Sequence, residues 1–426
     1  MKTPYPGKEK IRLVQEQKLQ QLLLYLQENS PFYQEVFSQN QIDIRSVITL
    51  DDLIKIPVTT KEQMQERNMD FLCVDRAEII EFTATSGTLG KPVTIALTQN
   101  DLDRLAFNEL LSFTSMGATN EDIIQLMLTL DRQFMAGIAY YSGIRELGAA
   151  IIRVGPVAPA QQWEIIYRLN PTLLVGVPSF ILKLTDFARE NHFDPNASSI
   201  KKALCIGENI RTPELQLNAL GKKISKSWNI ELYSTYASTE MQTAFTECSA
   251  GCGGHLNHEL LILELLDEKD QPVINGEPGE VTITTLGVEG MPLLRYKTGD
   301  ICIAYEGACE CGRESLRLSP VIGRKKQMIK LKGTTLYPPA LFDLLNGLPE
   351  VQEYVVEVYK NELGLDEVIL NLHPARLNER TDKHIKSTLQ GALRVIPEIK
   401  YLPLEAIHRM QFPDGSRKAI KFIDRR

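Results

Sequence analysis

The stretch Thr83-Ala84-Thr85-Ser86-Gly87-Thr88-Leu89-Gly90-Lys91-Pro92 gathers hydroxyls, two glycines and a lysine within a few residues. Glycine lets backbone N–H groups approach an anion, hydroxyls add donors, and lysine adds charge. In the P-loop of kinases and many ATPases, a Ser or Thr follows the lysine and a helix comes next. Here Pro92 follows Lys91, and Val93-Thr94-Ile95-Ala96-Leu97-Thr98 alternates like a strand. The loop therefore joins two strands, which disfavours a Walker-type NTPase. A plain hairpin turn has the same local signature.

Outward from the loop, short apolar runs alternate with longer helical patterns between Ile79 and about Leu265. Ile123-Ile124-Gln125-Leu126-Met127-Leu128, Ala149-Ala150-Ile151-Ile152-Arg153-Val154, Leu173-Leu174-Val175-Gly176-Val177 and Lys202-Ala203-Leu204-Cys205-Ile206-Gly207 read as buried strands. Gln161 to Leu169 and Phe180 to Glu190 read as crossover helices. This alternation predicts an α/β domain with mostly parallel sheets. From Leu260 to Ile303 the pattern changes to short strands with turns at Asn275-Gly276 and Glu277-Pro278-Gly279, an antiparallel subdomain. Upstream, Ile11, Leu13, Val14, Leu19, Leu22, Leu23 and Leu26 share a helical face, and Asn29-Ser30-Pro31 breaks it. A boundary near Gly323-Arg324-Lys325-Lys326 separates a large N-terminal domain, 1–323, from a small C-terminal α+β domain, 324–426. In the latter, Pro338 to Asn346 and Asn378 to Leu393 read as helices, and Val351 to Tyr359 and Glu367 to Leu372 as strands.

With 426 residues, the prior of roughly 150 residues per domain gives two or three domains. The net charge of -7 argues against a nucleic-acid partner, since such binders are normally basic. No apolar run approaches the ~20 residues that span a bilayer, so no membrane partner is expected. The first ten residues lack the apolar core of a secretory signal. Seven cysteines, an odd number, suit a reducing compartment rather than a disulfide scaffold, and the expected location is cytoplasmic.

Five further motifs follow the loop in order: Tyr236-Ala237-Ser238-Thr239-Glu240, Arg295-Tyr296-Lys297-Thr298-Gly299-Asp300, Gly323-Arg324, Lys326 two residues on, and Gly415-Ser416-Arg417-Lys418-Ala419. Together they resemble the adenylate-forming acyl-CoA synthetase superfamily, with departures at Leu89, Ala237 and Arg417. Within it the sequence is similar to the phenylacetate-CoA ligase family. Glu28-Asn29-Ser30-Pro31-Phe32-Tyr33, Ile56-Pro57-Val58-Thr59-Thr60-Lys61, Thr98-Gln99-Asn100-Asp101-Leu102, Met291-Pro292-Leu293-Leu294-Arg295-Tyr296 and Cys309-Glu310-Cys311-Gly312-Arg313 carry that likeness. It runs from about residue 8 to the C-terminus.

The resemblance implies a two-step reaction. A carboxylate attacks the α-phosphate of ATP, giving acyl-AMP and pyrophosphate; coenzyme A then attacks the acyl carbon and releases AMP. The first step brings two anions together, so the site must neutralise charge. Ser86, Gly87, Thr88 and Lys91 are assigned to the phosphates, with Gly207 and Ser238 among the nucleotide-binding positions. In the family the Tyr of the second motif stacks on adenine (Tyr236), the Thr contacts phosphate (Thr239) and the Glu helps hold Mg²⁺ (Glu240). Asp300 would accept from the ribose hydroxyls, and Arg324 would support the nucleotide. Lys418 maps to the catalytic lysine, and Lys326 to the hinge of a mobile C-terminal domain. Taken alone, Tyr236 reads as core, Thr298-Gly299-Asp300 as a turn, and Lys418 as a solvated lysine.

Cys248, Cys252, His255, His258, Cys309 and Cys311 form two clusters of metal-ligand types. Zinc favours four such ligands in a tetrahedron. The family pattern points to Cys248, His255, Cys309 and Cys311, a structural Zn²⁺ tying together the antiparallel part at about 245–315; Cys252 or His258 could replace one of the four. Unconnected reduced thiols are the plain alternative.

For the acid, Phe134, Tyr140 and Tyr141 offer ring faces, and Val177, Pro178 and Gly207 fall in pocket loops. An aryl acid is the first expectation, while Asp131-Arg132-Gln133 leaves room for a hydroxylated or amino acid. Two other readings compete: an adenylating enzyme that loads a carrier-protein thiol, and a non-catalytic nucleotide-binding protein. The resemblance also carries over a homodimer.

Overall fold

The helical spacing at the N-terminus gives α1 (Lys8–Asn29), which buries Ile11, Leu19, Leu22, Leu23 and Leu26. Ser30 then caps α2 (Pro31–Gln39) by accepting from Tyr33 N, while Pro31 takes the first helical position, where no N–H is needed. The computed structural model describes residues 5–85, 92–331, 334–362, 364–393, 395–413 and 419–426. Ser86, Gly87, Thr88 and Lys91 of the glycine-rich loop, and Lys418, lie outside the described residues. Two compact units are formed, Met1–Leu217 with Gly221–Pro320, and Asn218–Leu220 with Val321–Arg426.

In the first unit, α3 (Lys61–Glu66) starts at a capping box between Thr60 and Gln63. β1 (Glu81–Ala84) and β2 (Thr94–Leu97) pair antiparallel, so the glycine-rich loop does join two strands. Then come α4 (Gln99–Ser115), β3 (Ile123–Leu126), α5 (Met135–Leu147), β4 (Ala150–Arg153), α6 (Pro159–Leu169), β5 (Leu173–Gly176), α7 (Pro178–Glu190), β6 (Lys202–Cys205), α8 (Ala219–Ser227) and β7 (Glu231–Ser238). The strands align parallel in the order β4-β3-β5-β6-β7. β5 is apolar and buried throughout, as a strand covered on both faces requires, while β3 also buries Gln125, whose Nε2 donates to Gln162 Oε1 at 2.6 Å.

The antiparallel part is β8 (Thr243–Glu247), β9 (Gly254–His255), β10 (Leu261–Leu266), β11 (Pro278–Thr285), β12 (Tyr296–Tyr305) and β13 (Arg317–Leu318). It is not a separate layer. β8 pairs with β7, and the sheet runs on through β9, β13, β12 and β11 to β10. One sheet thus carries both halves. Phe113 and Tyr140 pack against Ile124, Leu126, Val175 and Leu204 in one buried cluster. Each such side chain contributes about 1.5–3 kcal/mol of burial.

Glu109 sits inside this packing, between α4 and α5. A Cβ on Gly143 would lie 2.3 Å from its Cβ, so the two helices touch through glycine. Asn108 Nδ2 donates to Glu109 Oε1 at 3.0 Å, while Oε2 is buried without a partner. Burial pushes the Glu109 carboxyl up to about 8. Its folded value is raised, so its share of stability is full below the unfolded value near 4.3 and lost as pH rises towards 8. Over that window the slope is about 1.4 kcal/mol per pH unit. Glu109→Gln should therefore flatten the fall in denaturant midpoint between pH 5 and 7.5; an unchanged profile would show the carboxyl to be ionised in the fold.

The second unit contains β14 (Gly323–Arg324), β15 (Ile329–Leu331), β16 (Thr334–Leu336), α9 (Pro338–Gly347), β17 (Val351–Lys360), β18 (Asp366–Pro374), α10 (Glu379–Leu393), β19 (Glu398–Tyr401), α11 (Leu404–Gln411) and β20 (Phe422–Asp424). Its sheet order is β19-β18-β17-β20, with β17 and β18 antiparallel and the outer strands parallel to their neighbours. Leu341, Val356, Leu370, Ile385 and Leu389 form its core. No helix among the described residues is long and apolar enough to cross a membrane.

Candidate active site

In the parallel half the chain leaves β3 for β4 on one flank and returns to β5 on the other. Open α/β sheets bind ligands beyond the carboxyl ends of their strands at such a switch point. The segment after β3, Val177 and Pro178 after β5, Gly207 after β6, and Tyr236 to Glu240 at the end of β7 all lie at these carboxyl ends.

These loops are braced against one another. Gly207 has φ +74, a conformation that favours glycine, with open space where a Cβ would point. Glu208 beside it accepts from Ser179 N at 2.9 Å and Ser179 Oγ at 3.0 Å, which ties the β6 loop to the first turn of α7. Gly137 is needed for space, because a Cβ there would sit 2.0 Å from Thr129 O. The segment after β3 also reaches β1, where Ala84 N donates to Gln133 O at 3.0 Å. At the stem of the glycine-rich loop, Thr85 N donates to Val93 O at 2.9 Å and Val93 N to Thr85 Oγ1 at 3.0 Å.

Tyr236 OH donates to Asp300 Oδ2 at 2.9 Å, and Asp300 N donates to Thr298 Oγ1 at 3.1 Å. The Tyr236 ring stacks on Phe245 with centroids 5.9 Å apart. Burial, and then the charge of Asp300, push the phenol well above its ordinary range, so it stays a neutral donor. A ring face and a carboxylate from sequence positions 64 residues apart are thereby joined.

Glu240 lies in the turn between β7 and β8, and its side chain is 8% exposed. Lys61 Nζ donates to Glu240 Oε1 at 3.0 Å, and Tyr296 OH donates to the same oxygen at 3.4 Å. Ser238 Oγ accepts from Met241 N at 3.3 Å and so holds the turn containing Thr239. Lys61 is delivered by a short parallel bridge: Thr59 N donates to Arg295 O and Lys297 N to Thr59 O, both at 2.9 Å. Behind it, Tyr33 OH lies 3.1 Å from Thr59 Oγ1 and accepts from Leu294 N at 2.9 Å. The Asn-Ser-Pro-Phe-Tyr segment therefore acts as scaffold for this corner. Asp101 is scaffold too, accepting from Glu289 N at 2.8 Å and Gly290 N at 2.9 Å.

Of the aromatic residues expected at the acid pocket, Tyr140 is spent in the core, edge-on to Phe113 at 6.1 Å. Tyr141 lies under Arg153 at 5.6 Å, and Phe134 is 40% exposed just before α5. In the second unit, Arg324 lies in β14 and Lys326 in a single 3₁₀ turn, Lys325–Gln327. Arg426 donates to Lys326 O at 3.2 Å and Met328 O at 2.7 Å, bracing that turn.

Cys248, His255, Cys309 and Cys311 converge, with one ligand atom from each lying within 4.8 Å of the others. Cys248 and Cys309 sulfurs are 3.6 Å apart, and Cys311 Sγ is 3.5 Å from His255 Nε2. His255 Nδ1 is 3.1 Å from Ser315 Oγ, which turns Nε2 towards the sulfurs. Burial pushes the imidazole down to about 3, so it is neutral, the form that ligates metal. Burial opposes ionisation of Cys309, yet the Cys311 N–H and the neighbouring thiols outweigh it and the thiol titrates below its ordinary value. Three sulfurs and one imidazole nitrogen suit tetrahedral zinc. Cys252 instead donates to Ala250 O at 3.2 Å.

A family model described as AMP-binding enzyme matches residues 20–290, well over half of the chain. The chain belongs to that family.

As an AMP-binding enzyme it has phenylacetate-coenzyme A ligases among its relatives. That of Thermus thermophilus is 28% identical over 370 residues, covering 86% of this chain and 82% of the relative. That of Escherichia coli is 27% identical over 339 residues, covering 78% and 75%. Among solved structures, 2-hydroxyisobutyryl-CoA ligase in the postadenylation state matches with a TM-score of 0.86 at 20% identity, covering 99% of this chain and 91% of that one. This second likeness concerns the fold alone. What the motifs leave unassigned in this AMP-binding enzyme is Lys61, whose role emerges only from its contact with Glu240.

Proposed function

We propose that the protein is an ATP-dependent carboxylic acid–CoA ligase that forms acyl-AMP, then acyl-CoA, releasing pyrophosphate and AMP. The observation that carries this reading is the convergence of Tyr236, Asp300 and Glu240 at the carboxyl ends of the parallel strands. Tyr236 supplies the ring face for adenine and Asp300 the acceptors for ribose. Gly207 and Ser238 shape the nucleotide loops, and Thr239 donates to phosphate. Ser86, Gly87, Thr88 and Lys91 cradle the phosphates, Arg324 supports the nucleotide, and Lys418 meets the carboxylate and α-phosphate oxygens. Glu240 is a buried carboxylate that already attracts a cation, which suits an oxygen-seeking ion such as Mg²⁺. Bound there, Mg²⁺ supplies charge neutralisation on the phosphates. Lys326 is the hinge between the half-reactions. An aryl acid is the favoured substrate class, in line with the phenylacetate-coenzyme A ligase relatives.

Purified protein with MgATP and a panel of aryl and aliphatic acids, with and without CoA, tests the reading. Pyrophosphate release with acyl-AMP and acyl-CoA products supports it. Acyl-AMP that never moves to CoA points to a carrier-protein thiol, and ATP binding without turnover of any acid points to a non-catalytic protein. Lys326→Pro in the same assay should keep acyl-AMP and lose the thioester.

We assign Cys248, His255, Cys309 and Cys311 to a structural Zn²⁺. All four positions are filled by protein, so the ion would tie β8, β9 and the 309–311 turn together rather than meet substrate. Tag-free protein should hold close to one zinc per chain, and Cys309→Ser should lose it together with several degrees of melting temperature. Well under one zinc per chain in the unaltered protein would overturn the assignment.

A further inference from the structure

The Lys61–Glu240 pair is built, not incidental. The carboxylate is 8% exposed, while the lysine is 41% exposed and free to swing on a four-carbon stem. Its root is fixed on three sides. Thr60 N donates to Gln63 Oε1 at 2.8 Å, and Thr59 is bonded to Arg295 and Lys297 on both its N–H and its C=O. A buried carboxylate without a partner is costly, and Lys61 is the cation that faces Glu240 in this structure. Glu240 would also help hold Mg²⁺, which would compete with the ammonium for this carboxylate and bring phosphates within reach of the lysine.

We infer that Lys61 is a second phosphate-side lysine: it holds Glu240 in place in the empty site and moves to the β- and γ-phosphates when MgATP binds. The inference rests on the ligase reading. In the adenylation step the carboxylate oxygen forms a bond to the α-phosphorus. The bond from that phosphorus to the bridging oxygen breaks, and pyrophosphate leaves with the electron pair. Lys61 neutralises charge growing on that leaving group. It has nothing to touch in AMP or acyl-AMP, which carry no β- or γ-phosphate.

Calorimetry with MgATP and with AMP, in the absence of acid, separates these roles. Lys61→Ala should weaken MgATP binding by about tenfold or more while AMP binding stays within about twofold. It should slow pyrophosphate release yet leave thioester formation from supplied acyl-AMP unchanged. Lys61→Gln keeps a polar side chain without the charge, and it should show the same split if the alanine variant folds poorly. Lys61→Arg should restore part of the MgATP affinity. Equal loss for MgATP and AMP, or no loss for either, would overturn the inference. Wild-type protein that binds neither nucleotide would instead overturn the ligase reading itself.

Discussion

Lys418→Ala should cut acyl-AMP formation by about 10²–10³-fold, the scale of removing one charge-stabilising donor from a transition state. Two anions, the acid and the α-phosphate, meet in that step, and a positive charge beside them offsets their repulsion. The residue falls in Gly415-Ser416-Arg417-Lys418-Ala419, so the expectation rests on the sequence alone. Thioester formation from supplied acyl-AMP should survive, because the α-phosphorus is already bonded to the acid. Pyrophosphate release and acyl-CoA formation, measured separately on the same variant, distinguish the roles. Equal losses in both would mean a structural lysine, and no loss would mean a solvated one. Lys418→Arg should recover little, since a planar guanidinium does not replace a compact ammonium at one point of charge.

The largest expected effect on stability comes from Arg295. Its guanidinium holds Glu264 through Nε at 3.0 Å and Nη2 at 2.8 Å, and Nη1 donates to Ile56 O at 2.5 Å. The side chain is 2% exposed, and Glu264 only 14%. Burial pushes the Glu264 carboxyl up and the arginine pulls it back, so its charge depends on this partner. Arg295→Met strands a buried carboxylate and should cost about 3–5 kcal/mol. It should also disturb the Thr59–Tyr296 bridge, which positions Lys61 and Tyr296 beside Glu240. Adding Glu264→Leu should return much of the loss, because the orphaned charge goes with it. Urea denaturation of both variants reads this directly. Two losses that simply add would show that the pair is not coupled.

Local patterns carried much of the architecture. Mostly apolar runs marked β3, β5 and β6, since a strand covered on both faces shows few polar side chains; Gln125 in β3 is one, and it is buried. Pro92 after Lys91 was enough to place a strand after the glycine-rich loop, because proline and the alternation that follows do not fit a P-loop helix. The four metal-ligand residues were legible as residue types, but their convergence to within 4.8 Å spans 63 residues of chain and depends on β8, β9 and the 309–311 turn lying side by side.

Other features carry no local signal. That the parallel and antiparallel halves form one sheet follows from β7 pairing parallel with β6 on one edge and antiparallel with β8 on the other. Tyr140 reads as a pocket aromatic on its helix, yet packing against Phe113 takes it into the core. Lys61 is one exposed-type lysine among many until the fold sets its ammonium 3.0 Å from a buried carboxylate 179 residues away. By itself the sequence determined strand and helix types and the chemical kinds of residue at the site, because those depend on neighbours a few positions apart. Which charges face each other was decided only by the tertiary structure, because burial and pairing belong to surfaces brought together from distant parts of the chain.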